Sequence, residues 1–314
     1  MKAFLVNLLP SFFVKFFAHA YVSGVGIDSA LEKARTLWVK DKIASSIDML
    51  GEEVTNTEDV EKIVQIYFDL INKLAKEDFP KHISLKLTSL GVDIDKTYCI
   101  NNLTRILEKA RENGVFVTLD MERSNYTSVI LEIYKNLRNQ YEFGTVLQTR
   151  LFRTKDDILG LKRLQTRIRL CVGVYNEDKT IAYTKKSVMK EKLIEYLTIL
   201  LENNHQVDVA THDHKYIIQA LQEIERRNIN PSQVEFQFLL GVPRARIQKE
   251  LIDRGYLVRL YVPFTIEWKY AISYLRRRLK ENPSLLYLGG LDFIGRIIQP
   301  FTWKKRKLIL SPKK

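Results

Sequence analysis

Three consecutive arginines, Arg276, Arg277 and Arg278, stand inside YAISYLRRRLKEN (270–282), a stretch that otherwise carries an apolar helical face. At about 100° per residue, Trp268, Ala271, Ile272, Leu275 and Leu279 share one stripe. Tyr274, Arg277, Arg278 and Glu281 share the arc beside it, and Arg276 falls on the far flank, toward solvent. One reading is a wet helix face with an Arg278–Glu281 ion pair. The other is an anion receptor, because adjacent guanidinium groups bind two oxygens at once and stay charged; with Lys86 they would hold a carboxylate or phosphate. Tyr175, Tyr261 and Tyr274 would then give walls that exclude water and stack on a small ring.

More polar residues sit at the ends of apolar runs: Lys86 and Thr88, Asp120 and Glu122, Gln148 and Arg150, Arg169 and Tyr175, Thr211 and His212, Glu235 and Gln237, Arg259 and Tyr261. Any one of them could be a satisfied structural group. Their recurrence on nearly every run points to a lined pocket for a small anion. Asp120 and Glu122 lie two residues apart on one strand and share a face, which does not give the opposed carboxylates of a glycosidase-like site. The chain has no Gly-rich phosphate loop, no Cys/His metal cluster and no nucleophile elbow. Its chemistry is therefore expected to come from a cofactor.

The elements that would position these groups alternate. Eight β-rich runs, KIASSIDML, HISLKLTSLG, VFVTLDME, FGTVLQTR, RIRLCVGVY, QVDVATH, VEFQFLLG and YLVRLYVPF, are separated by amphipathic patterns such as TEDVEKIVQIYFDLINKLAKE and HKYIIQALQEIERRN. Strand–helix alternation means parallel βαβ units, and eight of them predict a distorted, TIM-like (β/α)8 barrel over 42–285, ahead of a doubly wound sheet. The whole chain, 1–314, reads as a single domain. An extra amphipathic helix over 1–22 precedes the barrel, and a last helix, with Thr265 as its N-cap, follows the eighth strand. If that helix lies over the barrel mouth, Tyr274, Arg277 and Arg278 point into the same pocket. A basic tail occupies 300–314. Barrel enzymes place their sites at the C-terminal strand ends, which is where the polar residues fall.

Composition sets the remaining bounds. The 314 residues are 46% hydrophobic, enough for one large core, and carry a net charge of +13 with only two cysteines, Cys99 and Cys171. That cysteine usage suits a reducing compartment and excludes a disulfide framework. Much of the basic excess lies in WKKRKLILSPKK, which fits an anionic membrane surface about as well as nucleic acid; with no nucleic-acid module in the chain, no nucleic-acid partner is expected. No segment is long and apolar enough to span a bilayer. A cytoplasmic protein with peripheral contact to the inner face of the membrane is expected.

Eight of these stretches, ISLKLTSLG, VTLDME, VLQTRL, RLCVGVYNE, VATHD, EFQFLLG, VRLYVPF and YLRRRLKEN, fall in the order of the motifs of the proline dehydrogenase family, which the chain resembles from about residue 20 to 285. The resemblance implies a single-function enzyme that oxidises L-proline to 1-pyrroline-5-carboxylate by hydride transfer to FAD and passes electrons to a quinone-type acceptor. It implies that the last helix lies over the barrel mouth, that Arg277, Arg278 and Lys86 hold the substrate carboxylate, leaving Arg276 as the spare, and that Tyr175, Leu239, Tyr261 and Tyr274 enclose the ring. Asp120 matches an active-site aspartate, and Arg169 an arginine near the isoalloxazine. Met121, Gln148, Val172, Gly173, Val174, Thr211, His212 and Glu281 fall on the flavin side.

Several positions depart from the family pattern. Val172 stands for a cofactor-side lysine, Val174 for a pocket alanine, Asp213 for an asparagine and Thr265 for a glycine. The first and third imply weaker FAD retention unless Lys185, Lys186 or Arg167 restores the lost cation. They keep open a flavin-poor homologue that senses proline-like amino acids, and Val174 keeps open a flavin enzyme for a related cyclic amino acid.

Overall fold

Each barrel strand alternates a large apolar residue with a polar one, and successive strand residues face opposite sides of a sheet. Ile47, Ile83, Val117, Leu170, Val207 and Val258 therefore join one helix-covered core, while Ser46, Ser84, Arg169, Asp208 and Arg259 face the barrel axis. A polar axis cannot be left half-exposed as the edge of an open sheet, and here it is not. A computed structural model describes residues 21–51 and 54–281, with the backbone alone at 273 and 277–281. Its strands β1 (Ala44–Leu50), β2 (His82–Leu85), β3 (Phe116–Leu119), β4 (Gly144–Gln148), β5 (Arg167–Cys171), β6 (Gln206–Ala210), β7 (Val234–Leu239) and β8 (Leu257–Thr265) close in sequence order. All neighbours are parallel, and β8 meets β1 from Ala44↔Arg259 to Leu50↔Thr265.

The helices follow the amphipathic patterns. They are α1 (Ile27–Asp41), α2 (Thr57–Leu74), α3 (Lys96–Glu112), α4 (Ser124–Arg138), the short α5 (Thr154–Leu159), α6 (Lys186–Glu202), α7 (His214–Arg226), α8 (Ala245–Asp253) and α9 (Trp268–Glu281). On α2 the stripe Val60, Ile63, Val64, Tyr67, Ile71 and Leu74 is buried, and Asn56 opens the helix by accepting from the Asp59 N–H at 2.9 Å. Asp95 does the same for α3, accepting from the Tyr98 N–H at 2.7 Å.

Two details differ from the expectation. The helix seen before β1 is α1, whereas the helix expected over 1–22 lies outside the described residues except for Tyr21 and Val22, and the tail at 300–314 lies outside them altogether. Thr265 does not cap α9. It ends β8, three residues before α9 begins at Trp268; its N–H donates to the Gly24 carbonyl at 3.1 Å, and its hydroxyl donates to the Glu267 carbonyl at 2.6 Å. Beyond β8, α9 packs Ala271, Tyr274 and Leu275 against Leu50 at the C-terminal end of β1, together with Tyr21 and Val22. That contact sets the last helix at the barrel mouth.

Candidate active site

The barrel axis is filled by two tiers of charge. In the lower tier Arg167 donates to both Asp208 oxygens at 2.9 and 3.0 Å and to Glu235 at 2.6 Å, and Arg259 clamps Glu235 at 2.6 and 3.0 Å. Burial would raise the Glu235 carboxyl, but the Arg259 and Arg167 guanidinium groups overcome it and hold it at about 2. Gln237 links the tiers: its amide N–H groups donate to Asp208 at 2.9 Å and Glu235 at 2.7 Å, and its oxygen accepts from Arg169 Nε at 2.6 Å.

The upper tier sits at the strand ends. Arg169 Nη1 donates to Asp120 Oδ1 at 2.6 Å and Nη2 to the Ser84 hydroxyl at 3.1 Å. The Tyr261 hydroxyl donates to Asp120 Oδ2 at 2.6 Å. Lys86 Nζ lies 2.8 Å from Asp48 Oδ1, 3.2 Å from the Tyr261 oxygen and 3.4 Å from Asp120 Oδ2. Burial, and then the Asp120 and Asp48 charges, push the Tyr261 phenol well above its ordinary value, so it stays protonated and donates. Asp120 is thus an acceptor for three groups, which suits an orienting role better than that of a free base.

Above this tier opens a cavity of about 400 Å³. Lys86, Asp120, Met121, Gln148, Arg169, Val172, Gly173, Val174, Tyr175, Thr211, His212, Leu239, Tyr261 and Tyr274 all line it. Every expected site residue whose side chain is described is therefore in one place. Arg277, Arg278 and Glu281 lie on α9, but their side chains are outside the described residues. Arg276 is half-buried, contrary to the expected solvated flank.

Gln148 meets a tight boundary. Its Nε2 donates to the Glu122 carbonyl at 2.8 Å, while its buried Oε1 has no partner. Gly173 sits against that oxygen at φ 96°, and a Cβ there would come within 2.5 Å of it. Arg150, at the same rim, leaves its buried Nε unpaired. A buried acceptor and donor without partners, facing apolar walls of Met121, Val146, Val172, Val174 and Leu239, suit a large heterocycle with its own N–H and acceptor groups.

Several strand-end residues turn out not to belong to the cavity. Glu122 accepts from the Thr88 N–H at 3.1 Å and from the Thr88 hydroxyl, a closed pair that ties β3 to β2. Glu235 and Arg259 belong to the lower tier because they fall one strand repeat too early. Arg167, offered as a replacement for the cation missing at 172, is held there as well. Lys186 and Lys190 do line the cavity, and Lys190 pairs with Asp213, which also accepts from the Lys215 N–H at 3.1 Å to cap α7. Asp213 therefore brings its own counter-ion. Asp48 and Lys190 were not singled out in the sequence. The signal for Asp48 was present, since Ser46 and Asp48 alternate with Ile47 and Met49 as in the other strands.

The proline dehydrogenase family model matches residues 30–286. The chain belongs to the proline dehydrogenase family. Relatives include proline dehydrogenase 2 of Bacillus subtilis (strain 168), 34% identical over 264 residues covering 84% of this chain and 86% of that protein. Proline dehydrogenase 1 of the same organism is 32% identical over 268 residues, covering 85% and 87%. Among solved structures, proline utilization A from Bdellovibrio bacteriovorus superposes with a TM-score of 0.77 at 26% identity over 85% of this chain. This family member spans only 32% of the length of that larger protein. Among the described residues no helix is long and apolar enough to cross a membrane.

Proposed function

We propose that this proline dehydrogenase family member oxidises L-proline to 1-pyrroline-5-carboxylate, with FAD as its cofactor and a quinone-type compound as the final electron acceptor. The observation that carries this reading is the convergence of fourteen motif-matched residues on one cavity. The donor set fits the flavin: Gln148 Oε1 and Arg150 Nε need partners, and Gly173 leaves room where a side chain would intrude. Gln148, Arg150, Met121, Val172, Gly173, Val174, Thr211 and His212 would hold it, with Glu281 of α9 on the same side. Bound there, FAD supplies the two-electron acceptor for the hydride that leaves the ring carbon next to nitrogen.

The chain's own groups do the rest. Lys86, Arg277 and Arg278 receive the substrate carboxylate, and Tyr175, Leu239, Tyr261 and Tyr274 close around the ring and exclude water. Oxidation at carbon needs the nitrogen lone pair. The reacting form is therefore the neutral amine, whose proton goes to solvent before the hydride leaves. Asp120 holds Arg169, Tyr261 and Lys86 in register. The basic composition of 300–314 supports peripheral contact of a cytoplasmic protein with the anionic inner face of the membrane, where a quinone is at hand.

Arg277→Ala or Arg278→Ala is expected to raise the KM for proline about 10–100-fold, the loss of one charge-assisted hydrogen bond. Arg276→Ala should change it less than about threefold, because Arg276 is assigned no part in holding the substrate carboxylate. Equal effects at the three positions in steady-state kinetics would remove the carboxylate assignment.

A further inference from the structure

The cavity wall formed by Val172, Gly173, Val174 and Tyr175 belongs to a long connection between β5 and α6, and its two ends are stitched by backbone bonds. At the near end the Thr149 and Arg150 N–H groups donate to Cys171 and Val172 at 2.8 and 3.1 Å. At the far end Phe152 donates to Ile181 at 3.0 Å and Tyr183 to Arg150 at 2.9 Å, and the Phe152 and Tyr183 rings meet edge-on at 4.7 Å. The middle of the connection has a different fastening. Asn176 and Asp178 point to solvent, but Glu177 between them is half-buried and reaches α4. Its Oε1 accepts from the Ser124 N–H at 2.9 Å and its Oε2 from the Ser124 hydroxyl at 2.5 Å.

Ser124 is the first residue of α4, whose N-cap, Arg123, gives no side-chain hydrogen bond to the helix. Glu177 therefore supplies the cap from 53 residues away. A carboxylate there satisfies an orphan helix N–H and meets the positive end of the helix dipole. The bond also has a place in the site. Tyr175 lies two residues before Glu177, and Asp120 and Met121 lie four and three residues before Ser124, so one carboxylate joins the parts of the cavity wall that follow β3 and β5.

We infer that Glu177 is a positioning residue that latches the Val172–Tyr175 wall to the N-terminus of α4 and so sets the shape of the substrate pocket; its kinetic part rests on the proline reading above. Two hydrogen bonds to a charged acceptor hold the wall closed. Without them the segment between its stitched ends can swing away from Asp120 and Met121.

The test combines hydrogen exchange with kinetics on the full-length, FAD-loaded protein. Glu177→Ala should speed amide exchange across 173–178 at least about tenfold, as expected for loss of charge-assisted bonds. It should also raise the KM for proline about tenfold while kcat stays within about twofold, as a loosened wall weakens substrate binding more than the chemical step. Ser124→Ala, which keeps the N–H donor, should give a smaller change in the same segment, and adding it to Glu177→Ala should add little. Should Glu177→Ala not fold, Glu177→Gln and Ser124→Ala decide by the same readouts. Exchange over 173–178 unchanged in these variants overturns the latch. Faster exchange with no turnover of proline by the unaltered protein would sink the substrate reading and leave the latch standing.

Discussion

Asp120 shows how much of a residue's role comes from its neighbours. Alone it reads as a candidate base; surrounded by Arg169, Tyr261 and Lys86 at 2.6, 2.6 and 3.4 Å it is a junction for three donors. Gly173 shows the reverse, a residue whose value lies in what it lacks. Gly173→Ala would force a side chain onto φ 96° and into Gln148 Oε1. It should cost about 1–3 kcal/mol of stability, and by displacing the Gln148 amide it should weaken FAD binding about tenfold or more, the loss of one hydrogen bond and its buried partner. Denaturant melts and flavin-fluorescence titration check both, and an alanine variant unchanged in both would remove the account of this boundary. Lys86, Gln148, Arg169 and Tyr261 were legible as polar residues ending apolar runs. Asp48 shows the same alternation with Ile47 and Met49, but its place in the site depends on β2, which sets Lys86 beside it at 2.8 Å.

At the scale of elements, strand alternation gave the division between core and axis, but height along the axis was hidden. Glu235 and Gln237 belong to the same strand face two residues apart, yet one is locked in the lower ion cluster and the other lines the cavity. Register against the neighbouring strands decides this, and register is a tertiary property. The same lesson holds for Glu122, whose partner Thr88 comes from the turn after β2. The lower cluster makes a prediction of its own. Glu235→Leu leaves the buried Arg167 and Arg259 facing each other with Asp208 alone, and should cost about 3–5 kcal/mol in urea unfolding. Lys249→Ala, which removes an exposed pair with Asp253, should leave the midpoint nearly unchanged. Comparable losses for the two would contradict the view that the cluster holds the base of the barrel.

For the whole molecule, the barrel was readable because eight β-rich runs alternate with helical patterns, the number a (β/α)8 barrel needs; what separates it from a doubly wound sheet is the pairing of β8 with β1, which is a tertiary contact. The placement of α9 over the mouth came from contacts with Leu50, Tyr21 and Val22 that lie far apart in sequence. Global stability should depend on pH through two buried imidazoles. Burial, then the nearby Arg259, Arg167 and Arg169 charges, hold His82 well below its ordinary value of 6.5, and burial also lowers His205. Both resist a proton that the unfolded chain accepts, so their contribution is complete above pH 6.5 and is lost as pH falls below it. Each histidine can contribute up to about 1.4 kcal/mol per pH unit in that window. The urea midpoint should drop between pH 7.5 and 5.5, and His82→Gln, which keeps a donor for Thr118, should flatten that drop. A midpoint that does not vary over this range would rule out the neutral buried histidines.

The most direct test of the central claim is the visible spectrum of the purified full-length protein with FAD, recorded anaerobically before and after addition of L-proline. The account predicts a bound flavin band that bleaches on addition of proline. A flavin band that proline leaves unchanged, or protein that binds no flavin, would contradict it.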